Sequence, residues 1–213
     1  MVPLFKILLF GLLFLSSFIA FGQDKIELTN LEISQIPKGI TYSGKIKQAV
    51  RWTDNSGVNI VITAETGDQE SKSGSSEGHR DASLYAYHFL VLGDSIRQTW
   101  KVTDFIKECP FDIEANFIKN TFQVTDLNGD GTAEIWLIYI VTCTSDVSPV
   151  DMKVIMYQGT QKHAMRGHTK VEISKGNFMG GDYKFDKAFN EAPSEFRDFA
   201  KKLWKAHFMV RWY

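Results

Sequence analysis

Cysteine is almost absent from this chain, and so is any excess of charge. Two cysteines, Cys109 and Cys143, stand among 213 residues. That is too few for a disulfide-rich scaffold, and their spacing matches neither C-x-x-C nor any cysteine–histidine signature. The formal net charge is −1, with no basic cluster. Nucleic acid is therefore a poor partner, because neutralising phosphates needs a clustered basic face. After residue 22 no apolar run approaches the roughly 20 residues of a membrane span. Catalytic signatures are missing too: there is no G-x-S-x-G, no H-E-x-x-H and no phosphate-cradling glycine loop.

The one long apolar run opens the chain. Lys6 supplies a positive n-region, Ile7 to Leu15 is almost wholly apolar, and Ala20-Phe21-Gly22 places small residues at −3 and −1. The pattern predicts a signal peptide over residues 1–22, cut before Gln23, and a periplasmic or secreted product. A transmembrane anchor is the alternative, which the small-x-small ending disfavours. Lipid attachment is disfavoured by the lack of a cysteine near the cut. Loss of Lys6 leaves 23 of the 24 basic residues against 25 acidic ones. Residues 23–213 are then enough for a single β-rich domain with a substantial core. In an oxidising compartment Cys109 and Cys143 are expected to pair, the alternative being two buried free thiols. The disulfide would close a loop of roughly 35 residues, worth about 3 to 4 kcal/mol in the chain-entropy model.

Between these marks the chain reads as strands. Lys47 to Thr53 and Val58 to Glu65 flank the turn residues Asp54-Asn55-Ser56-Gly57 and make a hairpin. In Ser83 to Leu92, Leu84, Ala86, His88, Leu90 and Leu92 share one face, while Tyr85, Tyr87, Phe89 and Val91 occupy the other. Apolar on both faces, that strand is expected to be central and covered on two sides. Gly93-Asp94 turns it into Ile96 to Phe105, and Asp94-Ser95-Ile96 at this turn resembles a short bacterial O-glycosylation acceptor. Strands over Phe117 to Thr125 and Ala133 to Thr142 follow, then a hairpin of Met152 to Gln158 with His163 to Gly167. Phe196, Phe199, Ala200, Leu203, Trp204 and Phe208 mark a C-terminal amphipathic helix, with Pro193 suited to its first turn. The expected class is mainly β (α+β): an antiparallel sheet of hairpins, sandwich- or propeller-like, closed by that helix.

The most specific local signal is Asp126-Leu127-Asn128-Gly129-Asp130-Gly131-Thr132-Ala133-Glu134. Oxygen side chains recur at alternate positions and a carboxylate closes the run, as a Ca²⁺ loop requires. An EF-hand does not fit, because its twelfth position would be Leu137 and the flanks are strand-like. The pattern instead resembles the strand-loop-strand calcium loops of FG-GAP and VCBS repeats. That resemblance implies Asp126, Asn128, Asp130, Glu134 and the Thr132 carbonyl as ligands, with Glu134 replacing the usual aspartate. The alternative is an ordinary acidic Asn-Gly turn. Mg²⁺ is less suited, since it demands near-ideal octahedral geometry.

Other candidates are thinner. His79, Arg80 and Asp81 end the polar Thr66 to Asp81 loop and form the best polar cluster for binding. His163 and His168 fall on opposite strand faces, and His88 reads as a core histidine. Trp52, Trp100, Trp136, Trp204 and Trp212 read mostly as core. Trp52-Thr53-Asp54 and Val124-Thr125-Asp126 echo each other, each ending a strand before a glycine-containing turn.

Glu108-Cys109-Pro110-Phe111-Asp112, Thr125 to Leu137, Cys143 with Ser145 to Pro149, Asp151-Met152-Lys153, Met156-Tyr157 and Ala164 to Gly167 follow one another along the chain. Read in that order, they resemble a family of exported Bacteroidota proteins labelled surface polysaccharide biosynthesis proteins. The resemblance implies a process, cell-surface glycan, and no catalytic residue. The expected function is a calcium-stabilised, non-catalytic envelope protein whose partner is a surface glycan or an envelope protein. The alternative is a periplasmic inhibitor of lysozyme or an immunity-type protein.

Overall fold

Strict alternation of side chains lets each long strand here feed two different cores. The computed structural model describes residues 26–72 and 78–210. The expected signal segment 1–22 and Trp212 lie outside the described residues, as does the middle of the Thr66 to Asp81 loop. The first sheet holds β1 (Thr29–Asn30), β2 (Lys45–Asp54), β3 (Gly57–Glu65), β4 (Gln69–Glu70), β5 (Arg80–Leu92) and β6 (Ser95–Cys109). Its order is β1-β2-β3-β5-β6, with β4 also on β5. The second sheet is built from β7 (Asp112–Phe117), β8 (Gln123–Thr125), β9 (Glu134–Thr144), β10 (Asp151–Gln158) and β11 (Gln161–His168). A small hairpin, β12 (Lys170–Ser174) and β13 (Asn177–Gly180), precedes β14 (Tyr183–Phe185), which returns to the edge beside β11. Helices α1 (Lys187–Glu191) and α2 (Ser194–His207) follow, and β15 (Met209–Val210) pairs with β12 in parallel.

The two large sheets are antiparallel throughout and pack face to face, so of the two expected architectures the sandwich is the one formed. Val50, Val61, Leu84, Ala86 and Val102 of the first sheet meet Ile135, Leu137, Tyr139 and Ile155 of the second. The outer face of the second sheet, with Trp136, Met152, Val154 and Met156, is covered by Phe189, Phe196, Ala200 and Trp204 of the helices. Tyr87, Phe89, Ile60 and Ile62 on the outer face of the first sheet are covered by Leu31, Ile36 and Ile40. The central, doubly covered β5 and the C-terminal helix are as expected. The expected strand Phe117 to Thr125 is a correction. It breaks into the end of β7 and the short β8, because Asn120 adopts a left-handed φ of 60° and turns the chain.

Among the links between the two sheets are a disulfide, a ring column and an ion pair. Cys109 at the end of β6 is bonded to Cys143 in β9, with a Cα–Cα distance of 5.8 Å. A column of stacked rings runs from Trp52 through His88 and Trp100 to Tyr157, with centroid separations of 5.7, 5.2 and 4.1 Å. Lys153 of β10 reaches Asp104 of β6 at 2.5 Å. His88 is 4% exposed, with Nε2 3.0 Å from Asn59 Oδ1 and Nδ1 2.5 Å from Thr99 Oγ1. Burial lowers its pKa to about 4, against a smaller upward pull from Asp54.

Reducing the disulfide should destabilise the fold by about 3 to 4 kcal/mol through a looser unfolded chain. Urea midpoints with and without reductant check this, and native, unreduced protein should yield no free thiol after denaturation. His88 supplies a second test. Below an unfolded value near 6.5 the unfolded chain binds a proton that the folded one refuses. Its contribution is therefore intact above that pH and is lost progressively toward pH 4. Between pH 7 and 5 this amounts to about 2 kcal/mol of lost stability. A His88→Gln variant should lack that component, read as the difference between the two stability–pH curves.

Candidate metal centre

Alternating polar side chains wind the 126–134 loop by accepting its own N–H groups. Gly131 N donates to Asp126 Oδ2 at 3.0 Å, Asp130 N to Asn128 Oδ1 at 3.2 Å, and Thr132 N to Asp130 Oδ1 at 2.7 Å. Gly129 and Gly131 take φ of 69° and 78°, the left-handed values that such a tight winding needs. A Cβ at Gly131 would lie 2.1 Å from Asn55 Nδ2, so that side chain would have to leave its place on the loop.

Asn55 belongs to the β2–β3 turn of the opposite sheet. Its N–H donates to Gly131 O at 2.9 Å and its Nδ2 to Asp130 O at 3.0 Å. Asp54 beside it accepts Ala133 N on Oδ2 at 3.1 Å. The same carboxylate accepts Trp52 Nε1, Ser56 N and Oγ, and Asn59 Nδ2. Burial alone would raise the Asp54 pKa, but the hydrogen bonds from Ser56, Ala133 and Trp52 prevail and hold it below the ordinary carboxylate value. The acidic loop is thereby docked on the first sheet.

Its other side is held by the second sheet. Glu134 lies directly opposite Gln158 of β10. Gln158 Nε2 is 2.9 Å from Asp130 Oδ2, 3.4 Å from the Thr132 carbonyl and 3.5 Å from Glu134 Oε1. A positive amide edge thus stands among three of the five expected ligand atoms. Glu134 is wholly buried. Its Oε2 accepts Thr125 Oγ1 at 2.7 Å and Leu127 N at 2.9 Å. Burial pushes its pKa up to about 7, against the pull of those two hydrogen bonds and with help from the Asp126 and Asp130 charges.

The donor set is oxygen only, which suits a hard cation such as Ca²⁺. All five expected ligands lie in one continuous loop. Among the described residues, however, no three acidic, histidine or cysteine side chains close on one point. Oxygens of Asp126, Asn128, Asp130 and Glu134 accept N–H or O–H donors instead.

The remaining candidates sit apart from this loop. Arg80 reaches Asp68 at 2.6 Å and the Phe111 carbonyl, and Asp81 accepts Glu108 N at 2.8 Å. Both therefore bind the start of β5 to its neighbours near Cys109, its cross-strand partner at Arg80. His163 is buried against Phe189 and Phe196, while His168 is exposed on the other face beside Asp182. Trp52, Trp100, Trp136 and Trp204 are all core. The residues that sequence reasoning missed are Asp54, Asn55 and Gln158. The repeated Thr-Asp before a glycine turn held a faint signal for the first two, since those two turns dock on each other. Comparison with known proteins finds no matching family model, no matching curated protein and no matching solved structure.

Asp54→Ala should cost on the order of 3 kcal/mol, because it strips acceptors from buried donors on both sheets. Asn55→Ala should cost about 1 kcal/mol, the value of one neutral hydrogen bond. Denaturant titration of both variants measures this. Equal small losses would show that Asp54 holds only its own turn.

Proposed function

We propose that the chain is an exported, non-catalytic envelope protein that holds one Ca²⁺ in the 126–134 loop. We propose further that it is associated with the biosynthesis or binding of surface polysaccharide. The observation that carries the calcium reading is Glu134. Among the described residues, the partners of this wholly buried carboxylate, which has two acidic neighbours, are the neutral groups of Thr125, Leu127 and Gln158. Burying an uncompensated charge is expensive, and a divalent cation removes that penalty. Asp126, Asn128, Asp130, Glu134 and the Thr132 carbonyl would supply five oxygens, and Ca²⁺ takes six to eight. The role is structural. With the loop docked on Asp54 and Asn55 at one side and Gln158 at the other, the ion would stiffen the junction between the sheets.

Export is supported by the pattern of residues 1–22, and the glycan association by the ordered motifs from Glu108 to Gly167. The non-catalytic reading is supported by how the reactive groups are engaged. The two cysteines are paired, His88 and His163 are enclosed, and Arg80 and Asp81 face intramolecular partners.

Chelator should lower the melting temperature of the purified protein. Ca²⁺ should restore it and Mg²⁺ should do so poorly, because a ligand bound only by the folded state stabilises by mass action. Asp130→Ala should abolish the calcium response, and an undiminished response in that variant would place the ion elsewhere. Deletion of the gene should reduce surface glycan, whereas protection against lysozyme by purified protein would favour an inhibitor instead.

A further inference from the structure

At the end of the sandwich remote from Asp54 the inner face of the first sheet turns polar. Facing sheets ordinarily fill such positions with aliphatic side chains. Here β2 and β3 present Gln48 and Thr63, direct cross-strand partners, followed by Glu65. Thr63 and Glu65 are buried all the same. A bulge between Ile46 and Gln48 shifts the register and brings Lys47 to the same place, with Nζ 3.0 Å from Glu65 Oε2. Bulges commonly re-aim a side chain where a strand borders a site. Across the gap, the turn at Asn120 carries Lys119 and Phe122 over the end of β7. The walls enclose a cleft of about 310 Å³, at the small end of the roughly 300 to 1,000 Å³ typical of ligand sites.

We propose that this cleft binds a hydroxylated carboxylate, a sugar acid of the uronate kind, free or within a glycan chain. The identification rests on the glycan reading above and names its ligand class. Two ammonium groups, Lys47 and Lys119, border the cleft with one carboxylate, Glu65. Both Glu65 oxygens are engaged, Oε2 by Lys47 and Oε1 by Phe117 N at 2.7 Å. An incoming ammonium therefore meets a buried carboxylate already neutralised by Lys47, which disfavours amino acids, whereas an incoming carboxylate meets a net positive rim. The Gln48 and Asn120 carboxamides each offer a donor and an acceptor, the pairing that adjacent hydroxyls require. Phe117 and Phe122 supply apolar surface for the C–H faces of a ring.

Calorimetric titration of the calcium-loaded protein tests this with D-glucuronate, a glucuronate-containing oligosaccharide and D-glucose. Wild type should bind the glucuronate ligands at least about tenfold more tightly than glucose. Lys119→Glu, a change on an exposed turn, should weaken that binding about tenfold or more while the melting temperature stays unchanged. Gln48→Leu should weaken it as well. Equal affinity for free and chain-borne glucuronate assigns a free sugar acid, and tighter binding of the oligosaccharide assigns a glycan. Wild-type binding that survives unchanged in folded Lys119→Glu overturns the cleft and leaves the glycan reading standing. No binding of any of these probes by wild type overturns the cleft proposal, while the gene deletion above decides the glycan reading separately.

Discussion

One carboxylate, Asp54, sits where the main parts of this fold meet. It closes the β2–β3 turn through Ser56 and Asn59, anchors the first ring of the aromatic column through Trp52, and holds the acidic loop through Ala133. A single ionised group with five donors is stabilised well beyond an exposed aspartate, because each donor would otherwise lose water without replacement. The two sheets share an apolar core, but apolar contact is non-directional. Asp54 and Asn55 at one end, Glu65 with Phe117 N at the other, and Lys153 with Asp104 set how the sheets are aligned.

Much of this architecture was legible in the sequence, because period-two alternation survives folding. Leu84 and Ala86 do face the inter-sheet core while Tyr85, Tyr87 and Phe89 face outward, and the helix stripe from Phe196 to Trp204 does cover the second sheet. The disulfide was legible from a count of two and an inferred compartment. What escaped was set by single residues or by distance. Asn120 broke a plausible strand with one left-handed turn, and the β12–β13 hairpin with its parallel partner β15 has too few residues to show a period.

The candidate site divides the same way. A contiguous loop announces itself, and the spacing of Asp126, Asn128, Asp130 and Glu134 needed no tertiary context. Its surroundings did. Gln158 meets Glu134 only through the pairing of β9 with β10, and Asn55 meets Gly131 across 76 positions of chain. Arg80 and Asp81 show the converse hazard: a polar trio beside a long loop invites a binding role, yet two of the three tie strand ends together. The polar cleft around Glu65 was hidden because Gln48 and Thr63 look like ordinary strand polar positions until the sheet packing turns them inward.

The proposed Ca²⁺-loaded junction between the sheets is tested most directly by a crystal structure of the mature protein grown with millimolar calcium. The expected result is one ion in the loop, with Asp126, Asn128, Asp130, Glu134 and the Thr132 carbonyl at roughly 2.3 to 2.6 Å. Asp54 and Asn55 should remain docked on the same loop. Well-ordered density for the loop with no ion, and with Gln158 still bonded to Asp130, would contradict it.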